Sequence, residues 1–182
     1  MKLACNGNKE IDIFNFQPED VEIKDIILAL PNICRYGGRV DQFYSVAQHA
    51  VLLARHLREI RKQELVPLAL LHDAGEAYIG DIVLPIKLKF PKFLELEEQI
   101  TEIIYTKYGV DYSLQEEFDY YDKNIAYNEG RDLNLFTEEE DHGWRCWEPL
   151  PNVTIDPWPP SKARALLKEE LVNQFGQNIL NN

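Results

Sequence analysis

The strongest constraint on this fold is the recurrence of apolar residues every three or four positions, cut into segments by proline and glycine. In "VAQHAVLLARHLREIRK", Val46, Ala50, Leu53, Ala54 and Leu57 share one stripe; His49 lies close to it and Ser45 is placed as the N-cap. "PEDVEIKDIILALPNI" begins at Pro18 with acidic residues suited to a helix N-terminus, repeats apolar positions at Ile23, Ile26, Ile27 and Leu30, and stops at Pro31. A further helix opens with Pro67 in its first turn and runs through "LALLHDAGEAYIG". "PKFLELEEQITEIIYTKYG" is a fourth, ended by Gly109, and "SLQEEFDYYDKNIAYNEGRDLNLF" a fifth with Asp122 near its middle. A last amphipathic helix is expected after Ser161 as its cap, and residues 137–160 read as a loop or cover. Only residues 1–20 alternate, as in "EIDIFNF", which suits a short hairpin arm or an extended segment. The expected fold is therefore all-α with a short irregular or β-like N-terminal arm, as one domain over residues 1–182.

Charge and cysteine usage narrow the function classes. A net charge of -12 without a basic face argues against nucleic acid as a partner. Apolar runs such as "IILAL" fall far short of the roughly 20 residues needed to cross a bilayer, so a cytoplasmic protein without a membrane partner is expected. Cys5, Cys34 and Cys146 are odd in number and widely spaced, and read as free thiols.

Against this background the stretch "LALLHDAGEAYIGDIVLPIK" stands out, because His72 and Asp73 follow an apolar run directly. Buried ionisable groups are costly unless paired or bound to a metal. Alone, a His-Asp pair reads as an ordinary helix-end pair. Here it has company: His49 beside the stripe of the preceding helix, Asp122 in the Tyr-rich fifth helix, and Glu76 four residues after His72. Imidazole and carboxylate together suit a divalent ion such as zinc, manganese, cobalt or iron.

The ordered set "SVAQH", "LLHD" and "YYDKN" resembles the HD-domain phosphohydrolases. The likeness is to the small branch of bacterial 5'-deoxynucleotidases and phage-type deoxynucleoside triphosphohydrolases, through "ICRYGG", "YSVAQHAVLLA", "ALLHDAGEAYIGDIVLPIK" and "NEGRDL". It extends from about residue 10 to "PWPPSKARALL". The resemblance implies a divalent transition metal held by His49, His72, Asp73 and Asp122, with room for a second ion such as magnesium, and a homo-oligomer built from dimers. It implies that Glu76 orients the attacking water or manages its proton. Asp81 would be a proton manager, second-metal ligand or sugar contact. Arg35 would clamp a phosphate bidentately, Lys87 would add a point charge, and Tyr36 would pack on the deoxyribose where relatives carry tryptophan. The implied substrate is a deoxynucleotide, with dATP cut to deoxynucleoside and triphosphate as the leading expectation. A 5'-deoxynucleotidase releasing phosphate is the alternative, and a nucleotide-binding scaffold on the same fold is the non-enzyme rival. His56 reads as a surface or pocket-rim residue, His142 and the acidic run "TEEED" as solvated, and Trp144, Trp147 and Trp158 as anchors rather than base platforms.

Overall fold

The computed structural model describes residues 2–5, 9–136 and 148–181. A two-stranded antiparallel hairpin, β1 (Leu3–Ala4) and β2 (Glu10–Ile11), forms the arm, with Leu3 opposite Ile11. The rest is helical: α1 (Ile23–Ala29), α2 (Val46–Glu59), α3 (Val66–Leu71), α4 (Glu76–Ile79), α5 (Leu84–Lys87), α6 (Pro91–Tyr108), α7 (Gln115–Asp132) and α8 (Pro160–Phe175). The all-α class with a small β-like arm is what the structure shows. His142, Trp144, Trp147, Cys146 and the run at 137–141 lie outside the described residues.

Helix α2 is the axis of the bundle. Ser45 accepts a hydrogen bond from the Gln48 amide and so satisfies one of the donors that a helix start leaves bare. Val46, Leu53, Ala54 and Leu57 are then fully buried, and α2 packs chiefly against α3 and α8. At roughly 25 cal/mol per Å² of apolar surface, burying each leucine here contributes about 2 kcal/mol. Gln48, next to His49, points the other way: its amide donates to the Asp156 carbonyl and accepts from the Trp158 amide. Buried Asn128 on α7 does the same for Leu150 and Val153. These two amides tie residues 148–158 down as an ordered cover without regular structure.

Three boundaries differ from the sequence expectation. The first helix starts at Ile23 rather than Pro18. Ser161 is no cap, because Pro160, with its fixed φ, already occupies the first helical position. The third helix is interrupted after Leu71, where Ala74, Glu76, Ala77 and Tyr78 each donate to the carbonyl three residues back. The tightening lets α6 approach: a Cβ on Gly75 would meet Ile100 Cγ2 at 3.3 Å.

Candidate metal centre and its surroundings

The site forms where the middle of α2, the end of α3 and the middle of α7 meet. His49, His72 and Asp122 each offer one ligand atom, all within 4.8 Å of one another. Nε2 of His49 is 3.1 Å from Nε2 of His72 and 3.1 Å from Asp122 Oδ1; His72 Nε2 is 3.5 Å from the same oxygen. Asp73 Oδ2 lies 3.2 Å from His72 Nε2 and 4.0 Å from His49 Nε2. The four residues named from the sequence thus come together.

Their hydrogen-bond partners fix the tautomers. His72 Nδ1 is 3.1 Å from the Ala69 carbonyl, which only accepts, so Nδ1 carries a proton. His49 Nδ1 is 2.6 Å from Glu129 Oε1. Glu129 is fully buried, yet its pKa is depressed to about 2: burial pushes it up, and Arg35, then His49, more than offset that. It is a carboxylate, so His49 Nδ1 is the donor. With both imidazoles neutral, two bare nitrogen lone pairs and the Asp122 oxygen face one another, which is repulsive unless a cation sits among them. Burial lowers the His72 pKa, but Asp73 and then Asp122 raise it well above the ordinary value; burial and Arg35 lower that of His49, and Glu129 and Asp122 raise it on balance. A divalent ion satisfies the same set with its usual nitrogen and oxygen donors, so the residues fit such an ion.

The carboxylates around this cluster behave differently. Burial raises Asp73 and Asp122, but His72 and then Arg35 hold Asp73, and the two histidines hold Asp122, below the usual range. Glu76 is raised well above it, first by burial and then by Asp73 and Asp81. Its Oε2 is buried with no hydrogen-bond partner among the described residues, while Oε1 lies 3.4 Å from Lys87 Nζ. Asp81 follows Gly80, whose φ of 78° suits glycine, and burial raises its pKa.

The two expected phosphate-binding cations already have partners. Arg35 donates to Asp73 Oδ2 at 3.1 Å and to Glu129 Oε2 at 3.3 Å. Lys87 donates to Glu97 at 2.6 Å as well as to Glu76. Tyr36, in the left-handed region at φ 59°, donates its hydroxyl to Glu129 Oε2. His56 is buried rather than at the surface; its ring centroid is 6.2 Å from that of Tyr121, and burial lowers its pKa. Trp158 is a buried anchor beneath Arg55 and Lys162.

Glu129 is the residue that sequence reasoning did not single out. Tyr44 also donates to it, at 2.8 Å. The available signal was its place seven residues after Asp122 on one helix, two turns along the same face, inside the "NEGRDL" segment.

Beside the cluster, a cavity of about 400 Å³ is lined by residues that include His72, Asp73, Lys87, Tyr105, Gln115 and Asp119. Its size lies in the range of small-ligand sites.

Comparison with known proteins agrees with this geometry. The HD domain family model matches residues 39–134, more than half of the chain. The uncharacterized protein YfdR of Escherichia coli is 36% identical over 154 residues, covering 83% of each chain. An uncharacterized protein of Rhodobacter capsulatus is 33% identical over 111 residues, 57% of this chain and 56% of its own. No helix among the described residues is long and apolar enough to cross a membrane. The chain belongs to the HD-domain family, and that membership implies a metal-dependent phosphohydrolase.

Proposed function

We propose that the chain hydrolyses the 5'-phosphoester of a 2'-deoxynucleotide, with His49, His72, Asp73 and Asp122 as the ion's ligands. The observation that carries the reading is the pair of imidazole Nε2 atoms 3.1 Å apart with both Nδ1 protons committed elsewhere. Bound there, a zinc, cobalt, manganese or iron ion supplies a Lewis acid that acidifies a water and polarises a phosphoryl oxygen. Glu76 is the proton handler: burial and its acidic neighbours raise its pKa well above the ordinary carboxyl value, the direction that suits a carboxyl exchanging protons with an attacking water or a leaving 5'-oxygen. Lys87 steadies Glu76 and borders the cavity. Asp81 adds negative charge that keeps the Glu76 pKa high.

The length of the phosphate chain follows from charge. Arg35 and Lys87 are each shared between two carboxylates, and the cavity also carries Glu97, Glu98 and Asp119. Such a surface admits a dianionic monophosphate at less electrostatic cost than a tetra-anionic triphosphate. The favoured substrate is therefore a deoxynucleoside monophosphate, cut to nucleoside and phosphate. The second reading, dATP cut to deoxyadenosine and triphosphate, rests on Arg35 and Lys87 both flanking the ion ligands and requires them to leave their present partners.

Incubation with deoxynucleoside mono-, di- and triphosphates in oxygen-18 water, with each metal in turn, tests this. The expected product is labelled inorganic phosphate from monophosphates. Labelled triphosphate from dATP selects the second reading, and no turnover with any metal or nucleotide sinks both in favour of a binding scaffold.

A further inference from the structure

Glu129 connects two parts of the molecule that are distant in sequence. Its Oε1 takes His49 Nδ1 and the Tyr44 hydroxyl; its Oε2 takes the Tyr36 hydroxyl and Arg35. His49 is on the ion side. Tyr36 and Tyr44 belong to the segment 34–45, which is closed at its neck by the Cys34–Ser45 bridge and by the Arg35 amide on the Tyr44 carbonyl. Arg35 closes the ring a second time through Asp73. Tyr36, Gly37 and Gly38 all have positive φ, and residues 37–43 are largely exposed. Besides that neck, the buried Tyr44 and the packing of Val40 on the core, the segment docks on the body through its hydrogen bonds to Glu129.

We propose that Glu129 makes the ion site and the segment 34–45 one cooperative unit, in which filling the ion site orders the segment and loosening the segment weakens the ion site. The physical reason is geometric. A divalent ion pulls on His49 Nε2 and fixes the ring; the ring fixes Glu129 Oε1 through Nδ1; and the rigid carboxylate carries that constraint to Oε2, where Tyr36 and Arg35 dock. An unfixed carboxylate turns about its last bond and serves either set of donors less well. Because the coupling is an equilibrium one, it acts equally in both directions. It follows that an ion on His49 favours the docked arrangement of Arg35 and Tyr36 over any undocked one. This inference rests on the ion-ligand assignment above, but on no choice of nucleotide.

Cobalt(II) is the probe, and neither measurement involves turnover. Hydrogen exchange of the wild-type protein with and without cobalt should show slower exchange at residues 35–39 and 44–46 when cobalt is bound. Cobalt affinity, from competition with a chelator and from visible absorption, should fall about 10- to 100-fold in Glu129→Gln. It should fall about fivefold in Tyr36→Phe, which removes a single hydroxyl on the far side of the carboxylate from the ion. Helical circular dichroism and thermal melting establish that Tyr36→Phe is folded, so the second variant stands if Glu129→Gln does not fold. Wild-type cobalt affinity in folded Tyr36→Phe, or exchange in the segment unchanged by cobalt, overturns the coupling while leaving the proposed hydrolysis intact. Failure of the wild type to bind cobalt overturns both.

Discussion

Nε2 of His49 and Nε2 of His72 face each other across 3.1 Å, and each ring has its only neutral-state proton committed to an acceptor on its other side. Two buried acceptors aimed at one another are stable only with positive charge between them. Such a cluster could hold a metal ion, for which protons on the two rings would compete.

That competition has a definite sign with pH. In the ion-free protein the His49 and His72 pKa values are raised, so their contribution to stability is complete below the unfolded value near 6.5 and is lost as pH rises through the folded values. A metal binds only the deprotonated rings. The rise in melting temperature on adding zinc or cobalt should accordingly grow between about pH 5.5 and pH 8, reaching roughly 5–10 °C at a hundredfold excess over Kd. Differential scanning calorimetry with and without ion at several pH values measures it; an increment that shrinks as pH rises contradicts the tautomer assignment.

Arg35→Ala should damage stability before it damages recognition. Its removal strips the fully buried Glu129 of its guanidinium partner and leaves Asp73 with one cation fewer. Breaking a buried pair costs about 3 kcal/mol or more. A melting temperature within 2 °C or so of wild type, with only KM changed, would show instead that Arg35 serves the substrate alone.

Glu76→Gln should fold and retain its main ion, since no ligand atom is removed, while turnover falls about 10²-fold or more. Turnover at the wild-type rate with full metal content would reduce Glu76 to a buried spectator.

Much of this was legible in the sequence because it depends on neighbours along the chain. Ser45 caps α2 three residues on, and Gly109 takes the left-handed conformation that ends α6. The apolar stripe of α2 is buried as its spacing implies, but Ala47, Gln48 and Val51 outside it are fully buried too, because α2 is packed on more than one side. What stayed hidden depends on groups brought together from afar. The interruption after Leu71 answers to Ile100 on α6, twenty-five residues beyond Gly75. His56 is buried because Tyr121 of α7 packs on it. The role of Glu129 needs donors from residues 35, 36, 44 and 49, none of which shares its helix. Spacing along α7 puts Glu129 on the face of Asp122 but says nothing of which donors meet it there.

Asn128→Ala tests how residues 148–158 are held. The side chain donates to the carbonyls of Leu150 and Val153 and accepts from the Leu150 amide, all buried. Leaving those groups unpaired should cost about 2 kcal/mol or more, or at least about 4 °C in melting temperature. Proteolysis between residues 148 and 158 should rise in parallel; unchanged melting and cleavage would mean the segment is held by its apolar contacts alone.

The central claim, that this cluster is a metal centre, is tested most directly by elemental analysis of the wild type and His72→Ala, each purified, stripped with chelator, reloaded with cobalt and desalted. The wild type should retain about one equivalent and the variant, with a ligand gone, far less. No cobalt retained by the wild type, or equal retention by both, would contradict the assignment of the site.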